Sequence, residues 1–502
     1  MKSFWSYFIL SLSVIHVNAQ SPEQLNNWAL QKTVPGITEL RDFIAIPNDA
    51  VNLDDINMNV EWLKTAFTKR NFTIQVLETE NTPLFFAEKK VNKKAPTVLF
   101  YMHYDGQSVD KSKWDQDDPF KAVLKKKVDG KWIETDWEEL SIDGPEYRIF
   151  GRSSSDDKGP IIMLLQAIDA LEDNELKLKY NLKVVLDGEE EKGGNQLPEA
   201  VAKYRDILQA DHMIINDGPK HLSGKPTLVF GCRGNTRVDI TVYGTRVHQH
   251  SGHYGNYAPN PVFMMAHLLA SMKSPDGRVI IEGYYDGIDL NNEIKERLAA
   301  VPDDVNTIHQ TIGIAKPEAV GNNIQEALQF PSLNVRGISA AWIGKEARTI
   351  VPQDVTAAFD LRLVPESDPD RLKLLIKNHI EGQGYYVIDR APTEQERMTH
   401  PKIATYKTGK ATLPFRTDLD SETGDWLSAA LKKGLGEDPV KIRIMGGTVP
   451  TSTFINELNV PAIIVPLVNP DNNQHSPNEN LRVGNFTYGV QAFLSILLNE
   501  PE

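Results

Sequence analysis

Short apolar runs of β type recur along this chain, and each leads into an acid, a histidine or a loop that carries one. Thr97-Val98-Leu99-Phe100-Tyr101-Met102 leads to His103-Tyr104-Asp105, and Tyr147-Arg148-Ile149-Phe150 leads to a loop containing Asp156 and Asp157. Leu182-Lys183-Val184-Val185-Leu186 leads to Asp187-Gly188-Glu189-Glu190-Glu191, and His212-Met213-Ile214-Ile215 leads to Asn216-Asp217. Ala462-Ile463-Ile464-Val465-Pro466-Leu467 leads to a polar loop with Asp471 and His475. Helical stretches alternate with these runs, notably 160–171, apolar nearly all round, and 197–208. Strand and helix in alternation predict an α/β fold, a mostly parallel sheet covered by helices on both faces. Ligands of such sheets sit beyond the carboxyl ends of the strands, so five ends bearing acid or imidazole are expected to converge on one cleft.

The texture changes between residues 231 and 398. Segments 237–243 and 356–363 alternate as strands, 261–272 reads as an amphipathic helix, and no cluster of acids follows them. This stretch is expected to be an inserted α+β domain, splitting the first domain into 20–230 and 399–502, with a helix near 424–435 after the return. Residues 1–19 carry Lys2, an apolar run from Phe4 to Val17 and the short residues Asn18 and Ala19. That pattern predicts a secretory signal peptide, hence export to a periplasm or the exterior, with no membrane association after its removal. A retained N-terminal anchor is the competing reading.

Composition closes off several classes. Lys and Arg number 54 against 68 Asp and Glu, a net charge of −14, and no long basic run neutralises phosphates, so nucleic acid is not an expected partner. With 40% apolar and 24% charged residues over 502 positions, the chain has the makeup of two or three globular domains. The single cysteine, Cys232, excludes an intrachain disulfide and any cysteine-rich zinc finger, and reads as a buried structural thiol. Any metal must be held by His, Asp and Glu.

His103 and Asp105 lie two apart at a strand end. Their side chains share one side of the sheet, where an imidazole can ligate metal and a carboxylate can orient it; a buried polar pair is the plainer alternative. Asp156, before Lys158-Gly159-Pro160, either caps the following helix or bridges two cations. Glu189-Glu190-Glu191 is either a solvated loop or a set of acids that needs a positive charge nearby. There one acid can bind metal while its neighbour addresses an adjacent water. Asp217 and His475 complete the set, with turn and loop residues as their bland readings. His103, Asp156, Glu191, Asp217 and His475 together offer two imidazoles and three carboxylates, suited to two zinc-like ions sharing a carboxylate. Zinc is preferred because two histidines take part, with manganese or cobalt as substitutes.

These residues resemble the co-catalytic dizinc metallopeptidases that include carnosinase, cytosolic dipeptidases, aminoacylase and glutamate carboxypeptidase. The resemblance rests on motifs in the family's order: His103-Tyr104-Asp105, Gly151-Arg152 through Lys158-Gly159, Asp187 to Glu191, Asn216-Asp217, His250-Ser251-Gly252, Thr349-Ile350-Val351-Pro352, Arg362-Leu363-Val364-Pro365, Gly446-Gly447-Thr448 and His475-Ser476-Pro477-Asn478-Glu479. It implies one zinc on His103 and Asp217, the other on Glu191 and His475, and Asp156 between them. It implies Glu190 as general base and Asp105 as support for His103. The inserted domain then resembles a lid and dimerisation module. In a homodimer His250 would reach the partner subunit's active site and stabilise the oxyanion, Arg362 would face the substrate carboxylate, and Thr349 with the Gly446-Gly447-Thr448 loop would line the substrate site.

The implied activity is metal-assisted hydrolysis of the amide of dipeptides or short peptides. An N-acyl-amino-acid deacylase is the alternative on the same site, and a non-catalytic exported binding protein is a more distant one. The chain departs from the family pattern at Ser153, Asp187, Gly106 and Met445, the last standing where carnosinase-like members carry an acid.

Overall fold

The computed structural model describes residues 20–142, 144, 146–194 and 196–501. The signal-peptide expectation for 1–19 lies outside these residues. A mixed sheet of eight strands runs in the order Thr73–Leu77, Leu84–Lys89, Asn181–Asp187, Thr97–His103, His212–Ile215, Ala462–Ile464, Thr227–Val229, Val440–Ile442. The four central strands, from Asn181–Asp187 to Ala462–Ile464, are mutually parallel, and antiparallel neighbours flank them. Their common direction delivers Asp187 to Glu191, His103, Asp217 and the loop bearing His475 to one edge.

Period-two alternation builds the two layers. Val98, Phe100 and Met102 enter one core, packed by helices Pro22–Ile44, Lys158–Asp173 and Val483–Leu497. Leu99 and Tyr101 enter the other, with Leu197, Val201, Phe454 and Leu458 from the helices Leu197–Lys203 and Ser452–Leu458. Both faces are therefore covered, which is why the central strands are apolar throughout. The helical stretch expected over 197–208 divides at Tyr204 into Leu197–Lys203 and Arg205–Leu208.

Tyr147–Phe150 does not join this sheet. It pairs antiparallel with Val123–Val128 and Asn480–Arg482 in a separate four-stranded sheet. That sheet begins as a hairpin turning through Asp129-Gly130, both at positive φ, the pair that two-residue hairpins favour. Phe150 opposite Asn480 nevertheless sets the loop after residue 150 beside the loop carrying His475.

The inserted domain is a five-stranded sheet in the order Asn334–Ser339, Asp354–Leu363, Gly234–Tyr243, Ile403–Thr408, Tyr386–Ile388. Pro261–Met272 packs on it through Met265, Leu268 and Met272, the spacing of one helix face. Because Ile403–Thr408 pairs with Val238–Tyr243, this sheet extends past residue 398, and the return to the first domain comes later than expected. The outgoing strand Gly231–Cys232 lies antiparallel to the incoming Phe415–Arg416. Among the described residues no helix is long and apolar enough to cross a membrane.

Candidate metal centre

His103, the last residue of its strand, is fully buried. Its Nε2 lies 2.8 Å from Asp156 Oδ1, while its Nδ1 faces Asp105, 3.3 Å from Oδ1 and 3.2 Å from the backbone oxygen. Asp156 turns Oδ2 toward His475 Nε2 at 3.1 Å, and that nitrogen is 3.3 Å from Glu191 Oε2. Ligand atoms of His103, Asp156 and Asp217 all lie within 4.8 Å of one another, as do those of Asp156, Glu191 and His475. Two groups of three thus share Asp156. Asp156 does not cap the helix that follows, which begins at Lys158.

The donors are those expected for zinc-like divalent cations. Asp156 Oδ2 is buried and, among the described residues, has the 3.1 Å contact with His475 Nε2 but no well-aligned hydrogen bond, which leaves it lone-pair capacity for a cation. Charge points the same way. Burial and the Asp156 carboxylate push Glu191 up to about 8, and the same two causes push Asp217 up to about 6. Burial, reinforced by the charges of Asp217 and Glu191, also raises Glu190. Burial opposes ionisation of Asp156 too, yet the flanking His103 and His475 hold it well below the usual carboxylate range. Contact with Asp156 raises His475 to about 9 against its partial burial. Acids crowded this closely are relieved by added positive charge, and a pair of cations fits the residues present.

Asp105 sets the direction of the acidic run. Its Oδ1 accepts the backbone N–H of Glu190 and its Oδ2 that of Glu191, both at 3.1 Å. Neighbouring side chains then diverge: Glu191 meets His475, and Glu190 lines the cleft. Glu189, the third acid, turns away to accept from Asn81 Nδ2 at 3.0 Å.

The cleft has a volume of about 950 Å³ and runs between the two domains. Asp156, Glu190, Glu191, Asp217 and His475 line one side; Arg362, Gly447 and Thr448 line it further out. Arg362 Nη1 donates to Thr448 Oγ1 at 2.8 Å, joining a strand of the inserted domain to a loop of the first. Gly446 borders this loop but does not line the cleft. Met445 does, giving an apolar wall where an acid was the family's pattern.

Besides Gly446, two expected residues are not brought to this cleft within one chain. His250 is exposed at the start of a short helix, its Nδ1 accepting the Gly252 N–H at 3.0 Å and its ring 4.7 Å from that of His253. Thr349 lies beside it, its carbonyl accepting the Ser251 N–H at 3.0 Å. Asp471 is also elsewhere, paired with Arg148 at 2.8 Å and Arg482 at 2.6 Å. Cys232 is fully buried, and burial pushes its thiol up to about 12, the state of an inert structural cysteine.

Glu479 was read only as part of the His475 motif. It is buried, pairs with Arg152 at 2.7 Å, and accepts the backbone N–H groups of Ser153 at 2.9 Å and of Ser155 and Asp156 at 3.0 Å. It therefore holds the loop that presents Asp156. The signal was an unassigned acid four residues after His475 and an arginine four before Asp156. Gln107, whose Nε2 donates to Glu191 Oε2 at 2.7 Å, carried no such signal.

The model of peptidase family M20/M25/M40 matches residues 99–499. The Beta-Ala-His dipeptidase of Homo sapiens is 25% identical over 422 residues, covering 83% of this chain and 77% of that protein. A Cys-Gly metallodipeptidase of Schizosaccharomyces pombe is 26% identical over 465 residues, 86% of each chain. Among solved structures, an M20 family metallo-carboxypeptidase from Sulfolobus solfataricus superimposes with a TM-score of 0.75 at 27% identity, covering 93% of this chain and 99% of its own.

Proposed function

Since the chain belongs to peptidase family M20/M25/M40, and is therefore a metallopeptidase, we propose that it hydrolyses the amide bond of dipeptides and short peptides bearing a free carboxylate. The observation that carries this reading is the sharing of Asp156 by two ligand groups on a cleft that also holds Glu190 and Arg362. On this reading His103, Asp156 and Asp217 hold one zinc, and Asp156, Glu191 and His475 hold the other.

Cations so held supply Lewis acidity, polarising a scissile carbonyl and making water more acidic. Glu190, whose carboxyl is raised by burial, takes the proton of the attacking water and passes it to the departing amine. Asp105 fixes His103 on one side and the backbone of Glu190 and Glu191 on the other, so base and ligands keep one spacing. Arg362, steadied by Thr448, receives the substrate carboxylate as a bidentate cation. Gly447, which lines the cleft beside that pair, leaves room for the substrate backbone.

A homodimer through the inserted domain belongs to the same reading. Asn334–Ser339 is an edge strand exposed along its length; Ile338 within it and Ile343 after it are 57% and 89% exposed. Pairing such a face would cover it and carry His250 and Thr349 toward the other subunit's cleft, where His250 meets the oxyanion. Export is proposed from the Lys2, Phe4-to-Val17 and Ala19 pattern alone, and N-terminal sequencing of protein recovered outside the cell tests it.

The activity is tested by assaying a dipeptide panel beside acetylated amino acids, with measured zinc content, before and after chelation. Dipeptide hydrolysis that disappears with the metal and returns with zinc is expected. Preference for acetylated amino acids would move the assignment to a deacylase.

A further inference from the structure

Across Ile308 and Ile324, which also line the catalytic cleft, the inserted domain forms a second, open-sided pocket of about 450 Å³. That volume is in the range of small-molecule sites. Its walls are mostly apolar, with Val279, Val305, Ile312, Leu328, Phe330 and Leu333 among them, while His309, Asn322 and Asn323 add neutral polar groups. Lys273 and Glu318 also reach it, but they pair with each other at 2.7 Å and leave no net charge.

Arg233 is the exception. It lines the cavity and is only 8% exposed; its Nη2 donates to the Phe330 carbonyl at 2.7 Å, and its Nε has no hydrogen-bond partner among the described residues. Among the described residues no carboxylate forms an ion pair with it, because Asp360, the acid whose charge reaches it, lies 3.4 Å from Arg362 Nε instead. Burial and the positive charge of Arg362 lower Arg233 to about 10. A guanidinium taken out of water without a counter-ion is costly, and the group that matches its planar fork is a carboxylate.

We infer that this cavity is a binding site for an apolar monocarboxylate, its carboxylate on Arg233 and its body between Val279, Ile312 and Leu333. The site is separate from the metal centre and does not depend on the activity assigned to it. A free aliphatic acid and an N-acylated amino acid present this same chemistry.

The test is calorimetric titration of the full, metal-loaded protein with decanoate, N-octanoylglycine and decanol. Saturable binding of one carboxylate per chain is expected, about tenfold or more tighter than decanol and weakened as much by Arg233→Met. Ile312→Trp, at a position already 60% exposed, narrows the cavity and should weaken binding without disturbing a core. Binding should persist when a dipeptide hydroxamate saturates the metal centre. The tighter of the two acids names the source, and either order supports the site. No saturable binding, equal affinity for decanol, or displacement by the hydroxamate would each overturn the inference. If Arg233→Met fails to fold, the decanol, hydroxamate and Ile312→Trp arms still decide it.

Discussion

Arg152 Nη1 lies 2.7 Å from Glu479 Oε2, with the two side chains 4% and 0% exposed. The pair is the anchor of Asp156, because the same carboxylate accepts the Asp156 backbone N–H. Removing the acid strands a buried guanidinium and the amides it served, a loss of about 3–5 kcal/mol. Glu479→Gln should lower the urea midpoint and the bound zinc together. Wild-type values of both would show that the loop does not need this anchor.

Asp105 supports the site from two directions, so its loss should be felt in affinity rather than in the fold. For Asp105→Ala, metal affinity and turnover should each fall about 10–100-fold. Competition with a fluorescent chelator measures the first, and an unchanged dissociation constant would refute the role.

Glu190 and Glu191 are adjacent but face different partners, and charge-neutral variants separate them. Glu190→Gln should abolish turnover with both metals retained. Glu191→Gln should reduce zinc by elemental analysis as well as rate. Metal loss in the first variant, or full metal in the second, would reverse the assignments.

His250 acts across a dimer on our reading, which makes it testable by mixing. His250→Ala and Glu190→Gln should each be nearly inactive alone. Subunits of the two, exchanged into hybrids, should regain activity, since one hybrid site has Glu190 of its own and His250 of its neighbour. No recovery in proven hybrids would place His250 outside the reaction.

Without metal, the site should lose stability as pH rises. Glu191 at about 8 and Asp217 at about 6 lie above ordinary carboxylates, so the folded chain keeps protons that the unfolded chain has already released above about pH 4.5. His475, raised to about 9, contributes stability that is full below about pH 6.5 and gone once pH passes its folded value. Both slopes have the same sign. The urea midpoint of chelated protein should therefore fall between pH 5 and pH 9, and zinc should remove the decline.

How much of this was legible in the sequence follows from which contacts are local. His103, Glu190, Glu191 and Asp217 could be placed because each stands directly after an apolar run, and parallel strands share an exit edge. The role of Glu479 could not, since it depends on contacts to a loop 326 residues away at Ser153. The sequence pattern misplaces Tyr147–Phe150 because its four residues read alike in either sheet, and the partners that decide the matter, Val123–Val128 and Asn480–Arg482, lie outside that pattern. The late return from the inserted domain has the same origin: Ile403–Thr408 looks like any short strand until its register with Val238–Tyr243 is seen. His250 is legible only through the resemblance of His250-Ser251-Gly252 to the family's motif, because on our reading the cleft it serves belongs to a second chain.

The outgoing and incoming segments at Gly231–Cys232 and Phe415–Arg416 run side by side, and a Cβ at residue 231 would strike the Phe415 carbonyl. A module that departs and rejoins through one narrow ribbon is tethered as a door is, along a single edge. Its outer end can be lengthened, trimmed or reshaped over evolutionary time while the frame it hangs from keeps its dimensions.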